Sequence, residues 1–243
     1  MSTTLCLDLG NTRLKWAVFS DGEIRNSGIL EGDGVEDLKA CIETYRPDKS
    51  ILSSVVNHPP AMEELLNDHT RFHKLDHHSR VPITTPVGKP ETIGADRLAL
   101  VVAAVHYFPE KNILAIGLGS AVTYNYINRF HQFIGGSISP GMEMRFKSLE
   151  LFTAKLPLVK PHWNFPLVGY DTKTNIQSGV MFGLAKEMDG VVDAYKERYE
   201  NLQVLMTGGD AHYFMPFLKN RISLDPDLIF KGLYVISEYN FSI

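Results

Sequence analysis

Apolar and polar residues alternate near the start of the chain. Leu5, Leu7 and Leu9 are separated by Cys6 and Asp8, which predicts a strand over 5–9. Gly10-Asn11-Thr12 interrupts it, 14–19 reads as a second strand, and the tight-turn pair Asp21-Gly22 leads into a third over 23–30. The period then changes. Val35, Leu38 and Ile42 keep helical spacing across 35–45, 50–56 is a β-branched strand, and Pro59-Pro60 opens a helix running to 66. Residues 79–93 are rich in Pro, Thr and Gly and predict a loop, after which Gly94 begins an apolar helix over 95–108.

A second copy of this order starts at Ile113. Leu5-Cys6-Leu7-Asp8-Leu9-Gly10-Asn11 can be laid on Leu114-Ala115-Ile116-Gly117-Leu118-Gly119-Ser120, and β-rich runs follow over 122–127 and 130–138. Helices over 141–154 and 175–199 come next. A strand of buried type over 202–206 ends in Thr207-Gly208-Gly209-Asp210, and an apolar helix over 228–239 closes the chain. The repeated strand–turn–strand–strand order predicts an α/β protein of two similar lobes, 1–112 and 113–243.

Composition narrows the function classes. With 24 Lys and Arg against 28 Asp and Glu, the chain has no basic footprint for nucleic acid or anionic lipid. Two cysteines, Cys6 and Cys41, exclude a disulfide framework and a Cys-rich zinc site, and their apolar neighbours predict buried thiols. No basic leader pattern and no membrane-length apolar run is visible, so a cytoplasmic protein is expected. Asp76-His77-His78 reads as a surface loop rather than a metal site, because no partner motif accompanies it.

Three segments carry candidate chemistry, each with a plainer reading beside it. Asp8-Leu9-Gly10-Asn11-Thr12 is either a hairpin turn with a solvated Asp8, or a backbone cradle for phosphate with a carboxylate for Mg²⁺ and Lys15 nearby. Gly94-Ala95-Asp96-Arg97 opens a helix, so Asp96 is either a first-turn carboxylate favoured by the helix dipole or a proton acceptor in phosphoryl transfer. The run from Gly135-Gly136 to Pro140-Gly141 is either a β–α connection or the lining of a cleft. With Gly119-Ser120-Ala121 and Gly208-Gly209, the strand-end glycine turns jointly favour a nucleotide held between two lobes.

Taken in order, these segments resemble the type III pantothenate kinases. The resemblance rests on Asp8-x-Gly10-Asn11-Thr12, Gly94-Ala95-Asp96-Arg97, Gly119-Ser120-Ala121-x-Thr123 and Gly135-Gly136-x-Ile138-x-Pro140-Gly141. It continues through Thr172 with Ile176-Gln177-Ser178-Gly179, Thr207-Gly208-Gly209-Asp210-Ala211 and Asp227-Leu228-x-x-x-Gly232-Leu233. It implies the acetate kinase, Hsp70 and actin superfold: two ribonuclease-H-like lobes of an actin-like ATPase with a ligand cleft between them, in a homodimer. The implied reaction moves the γ-phosphate of ATP to pantothenate, giving 4'-phosphopantothenate, the first step of coenzyme A biosynthesis.

The same resemblance assigns roles. Asp8, Leu9, Gly10, Asn11, Thr12, Arg13, Leu14, Lys15 and Ser120 would bind ATP, with Asp8 near Mg²⁺ through water. Asp96 would be the general base, and Gly94, Ala95, Asp96, Arg97 and Thr172 would contact pantothenate. A monovalent cation, K⁺ or NH₄⁺, is also implied, but Gly117 stands where the family has the associated Asp. Asn125 replaces a further common Asp, and Val87 a Tyr beside pantothenate. An active kinase with altered cation dependence is therefore expected. The alternatives are a catalytically impaired, nucleotide-binding accessory or regulatory relative, and a different small-molecule kinase or phosphohydrolase on the same superfold.

Overall fold

The opening alternation folds into a three-stranded meander of β1 (Thr3–Leu9), β2 (Leu14–Ser20) and β3 (Glu23–Leu30). Asp21 and Gly22 both take positive φ, 54° and 83°, the two-residue turn whose twist suits a hairpin. This computed structural model describes residues 2–85 and 90–241. After the meander come α1 (Val35–Tyr45), β4 (Lys49–Ser54), α2 (Pro60–His69), β5 (Arg71–Lys74) and α3 (Ala95–Tyr107). The sheet order is β3-β2-β1-β4-β5, with β1 antiparallel to β2 and parallel to β4.

Strand pleating divides the side chains of β1 between two faces. Leu5, Leu7 and Leu9 are fully buried and pack with Leu38 and Ile42 of α1 and Met62 and Leu66 of α2. Cys6 and Asp8 point to the opposite face. That face is covered from the far end of the chain, by α8 (Leu228–Phe241). Phe19, in register with Thr4, stacks on Tyr234 of α8 with ring centroids 4.6 Å apart. Helix α8 also packs along α3, so closely that a Cβ at Gly232 would sit 1.9 Å from the Ala99 carbonyl oxygen.

The second half repeats the plan with β6 (Asn112–Leu118), β7 (Ala121–Ile127), β8 (Phe133–Pro140), α4 (Met142–Leu151), α5 (Thr172–Gln177), α6 (Gly183–Arg198), β9 (Leu202–Thr207), α7 (Ala211–Phe214) and β10 (Ser223–Leu224). Its sheet order is β8-β7-β6-β9-β10, the same arrangement with the same parallel and antiparallel neighbours about the central strand. Leu114, Ile116 and Leu118 of β6 are buried with Met142 and Phe146 of α4 and with Leu184 and Met188 of α6. The predicted helix over 175–199 is two α-helices joined through a π-helical turn at 178–182.

Two compact units result. One contains residues up to 109, 130–134 and those from 227 on; the other contains 110–129 and 135–226. The division read from the sequence at 112 lies close to the first crossing. The first unit also takes 130–134 and α8, whose buried side chains Phe230, Leu233 and Ile236 complete the α3–β1 face there.

Candidate active site

Asp8 sits one residue before the end of β1, between two in-register neighbours: Lys15 on β2 and Ser53 on β4. The three side chains share one face of the sheet. Burial, and then the negative charge of Asp96, push the Asp8 carboxyl up from 3.8 to about 6, while Lys15 and Ser53 pull the other way. Ser53 Oγ is buried and makes no hydrogen bond among the described residues. Two carboxylates that repel each other thus lie near an orphaned hydroxyl and Lys15.

That donor set fits Mg²⁺ bound mainly by water and phosphate oxygens, the usual habit of this ion. Among the described residues no group of three or more His, Cys, Asp or Glu could hold a metal.

Asp96 lies in the first turn of α3. Its Oδ1 accepts the backbone N–H of Arg97 at 2.8 Å, while Oδ2 has no hydrogen-bond partner among the described residues. The carboxylate folds back over Gly94, where a Cβ would lie 2.6 Å from Oδ1. Glycine at 94 thus lets Asp96 take this position, with half-buried Ala95 between them. Arg97 extends over the Phe133 ring, 5.5 Å from its centroid. Burial lowers the Arg97 pKa and neighbouring Asp96 opposes this, and the guanidinium stays charged. One carboxylate oxygen thus satisfies a helix-end donor, while the other makes no hydrogen bond within the described residues.

The β1–β2 turn closes through Gly10 N–H to Arg13 O at 3.1 Å. Leu9 is buried and Leu14 packs against the core, while Asn11, Thr12 and Arg13 are exposed. A Cβ at Gly10 would make only ordinary contact, 3.5 Å from Arg13 O. Gly119, at the equivalent turn of the second unit, is similarly open, with Ala121 O 3.8 Å from its would-be Cβ. By contrast, a Cβ at Gly141 or Gly208 would collide with backbone, 2.3 Å from Gly119 O and 1.9 Å from Leu118 O respectively. The glycine turns separate on this basis. Packing explains 141 and 208, whereas no contact within the described residues requires glycine at 10 or 119.

In the second unit, Gly117 occupies the sheet position that Asp8 holds in the first, in register with Thr123 and Thr207. In this row Thr123 stands where Lys15 does, Thr207 where Ser53 does, and no side chain where Asp8 does. Asn125 is completely buried, and its Nδ2 donates to Ala115 O and Thr123 Oγ1, both at 3.1 Å. An ionised Asp could donate neither bond. Ser120 O accepts Gly141 N–H at 3.0 Å. Thr172 begins α5 behind a capping box of Asp171 and Thr174, and lines a cavity of about 590 Å³. Val87 lies outside the described residues. The structure groups Asp8, Lys15, Asp96 and Arg97 in the first unit, whereas Ser120 and Thr172 belong to the second. Ser53 was missed, since one serine in a strand gives no sequence signal until its register neighbour is known.

Comparison with known proteins decides the family. A protein from Christiangramia forsetii named Type III pantothenate kinase is 37% identical over 238 residues, 97% of this chain and 98% of that protein. One of the same name from Cytophaga hutchinsonii is 38% identical, over 97% of this chain and 99% of that one. The family profile described as Type III pantothenate kinase matches residues 4–194.

The chain belongs to the type III pantothenate kinase family.

The kinase fold of this family member is shared with the activator of 2-hydroxyisocaproyl-CoA dehydratase from Clostridium difficile, solved with bound ADPNP. That likeness has a TM-score of 0.55 at 12% identity, covering 99% of this chain and 94% of the other, and it identifies the actin-like ATPase fold. Among the described residues of the kinase, no helix is long and apolar enough to cross a membrane.

Proposed function

We propose that this chain transfers the γ-phosphate of ATP to the hydroxyl of pantothenate, making 4'-phosphopantothenate at the entry to coenzyme A. Family membership supports the activity, and the observation supporting the site is the electrostatic coupling of Asp8 to Asp96 and Lys15. Pantothenate's hydroxyl oxygen attacks the γ-phosphorus in line, the bond from that phosphorus to the β–γ bridging oxygen breaks, and Asp96 Oδ2 accepts the hydroxyl proton. The open 9–15 hairpin offers backbone N–H groups and Lys15 to the phosphates, with Gly10 allowing close approach. Ser120 is the ATP contact of the second unit, and Arg97 and Thr172 are substrate contacts. Mg²⁺, held near Asp8 through water, would supply charge neutralisation to the phosphates. Asp8 and Lys15 keep that position; Asp96 moves the proton.

A K⁺ or NH₄⁺ site is less well matched. The row at Gly117 offers hydroxyls and no carboxylate, and Thr207 Oγ1 is engaged with Pro226 O at 3.3 Å. No step is routed through that ion, and an altered cation dependence is the reading this row supports. The homodimer rests on exposed apolar side chains after α4: Leu151 and Phe152 are 74% and 80% exposed, and Val168 and Tyr170 are 82% and 81%. Sedimentation at micromolar concentration tests it; a monomer would remove it. The accessory-protein reading draws no support from Asn125, whose amide nitrogen spends both N–H donors within the fold.

The deciding experiment measures ADP release with ATP, Mg²⁺ and pantothenate, with and without K⁺, for wild type and Asp96→Asn. Turnover should need pantothenate and should fall about 10²- to 10⁴-fold in the variant while ATP binding persists. Unchanged turnover in Asp96→Asn would remove Asp96 from the proton step, and no pantothenate-dependent release by wild type would overturn the kinase.

A further inference from the structure

Ser53 is completely buried, and its Oγ makes no hydrogen bond among the described residues. A buried hydroxyl without a partner has given up its bond to water for nothing, so folds seldom leave one unless another group is to meet it. Ser53 stands next to Asp8 in the row Lys15–Asp8–Ser53, on neighbouring strands about 4.8 Å apart. Lys15 has donors only, so Asp8 is the acceptor side chain of that row.

The repeat in the second unit supplies an internal comparison. There Thr207 takes the position of Ser53, and Gly117 that of Asp8. Thr207 Oγ1 donates to Pro226 O at 3.3 Å. Where the central strand has no side chain, the hydroxyl is spent on the backbone; where it has a carboxylate, the hydroxyl is unspent. Rotation about the Ser53 Cα–Cβ bond moves Oγ without disturbing the strand, and solvent does not compete for it because the atom is covered. An ionised carboxylate has two oxygens and about four lone-pair sites, so one oxygen can take this donor while the other meets water around a cation.

We infer that Ser53 is a positioning residue for the cation: in the Mg²⁺–nucleotide complex its hydroxyl donates to the Asp8 carboxylate and fixes how that carboxylate meets the hydrated ion. The inference rests on the reading of Asp8 given above, and every residue it uses lies in the first unit. A carboxylate anchored on one side loses less freedom when the ion binds, which is how a partner behind a metal-binding group raises affinity.

The test uses the full chain and a non-hydrolysable ATP analogue, titrated by calorimetry in EDTA and at graded Mg²⁺. Ser53→Ala should raise the Mg²⁺ concentration for half-maximal nucleotide binding about 10-fold or more, with no comparable loss in EDTA. Ser53→Cys fills similar space with a much weaker donor and should behave like Ser53→Ala, which separates hydrogen bonding from packing. In urea, unliganded Ser53→Ala should unfold at or above the wild-type midpoint, because the deleted hydroxyl has no bond to lose. A Mg²⁺ requirement within twofold of wild type in Ser53→Ala, wild-type behaviour of Ser53→Cys, or a lowered unliganded midpoint in Ser53→Ala would overturn the inference. Asp8→Asn separates it from its parent reading. If that variant loses the Mg²⁺ effect and Ser53→Ala does not, the inference alone falls; if Asp8→Asn keeps the wild-type Mg²⁺ response, both fall.

Discussion

Asp8 carries a charge that the fold holds at a cost, and Asp8→Asn makes that cost measurable. Burial and the negative charge of Asp96 push its carboxyl from 3.8 to about 6. At about 1.4 kcal/mol per pH unit, ionising it disfavours the native state by at most about 3 kcal/mol at pH 7. An asparagine of the same shape relieves most of this but must bury its own amide, so the expected net gain is about 1–2 kcal/mol. The sign follows from proton binding. A carboxyl with a raised folded-state pKa favours folding fully below 3.8, and this contribution is lost as pH rises through about 6. The ionisation penalty is largest at pH 7 and about a third as large at pH 4.5, so once the amide cost is subtracted the net gain of Asp8→Asn should shrink to about zero at pH 4.5. Urea unfolding at both pH values, without nucleotide or Mg²⁺, reads it directly. Adding Mg²⁺ and ATP should stabilise wild type more than the variant, because only the ionised carboxylate meets the cation. A variant less stable than wild type at pH 7, or a gain that does not shrink at pH 4.5, would refute the reasoning.

Two glycine substitutions should separate ligand approach from packing. Gly10→Ala places a Cβ at ordinary contact distance and should leave the unfolding midpoint within about 0.5 kcal/mol, yet weaken ATP binding about tenfold or more by calorimetry. Gly232→Ala forces a Cβ to 1.9 Å from Ala99 O and should cost more than about 2 kcal/mol in the same unfolding assay. Asp189 is 2% exposed and takes backbone N–H groups from Lys219 and Asn220 at 3.1 Å. Burial alone would raise its pKa, but these bonds and Lys186 outweigh it and the pKa is lowered. Its contribution should be present above about pH 4 and fade as pH falls through the lowered value. Asp189→Ala should then cost about 2–4 kcal/mol at pH 7 by urea unfolding, and less at acid pH.

The strands of both meanders, the hairpin at Asp21-Gly22 and the helices at 35–45 and 95–108 were legible because each is specified by neighbours within a few residues. Edge strands were not. Arg71–Lys74 has the sequence Arg-Phe-His-Lys, with no alternation to mark it, and Ser223–Leu224 is too short to carry a period. Both become strands by pairing with β4 and β9, a gain that depends on distant backbone. Asp8 and Asp96 stood out as carboxylates next to glycine at element ends. Ser53 did not, since a serine in a strand gives no signal until its register neighbour Asp8 is known.

By itself the sequence determined the two-fold repeat of strand order, the family motifs and the identity of the groups that can donate, accept or carry charge, because these depend on local spacing and side-chain chemistry. The tertiary structure alone decided that the last helix closes the first unit, that Asp8 is pushed to about 6 by burial and by Asp96, and that Gly208 is a packing residue while Gly10 is open. Desolvation, Coulombic interaction and steric exclusion act through space, and they sum over segments as far apart along the chain as β1, α3 and α8.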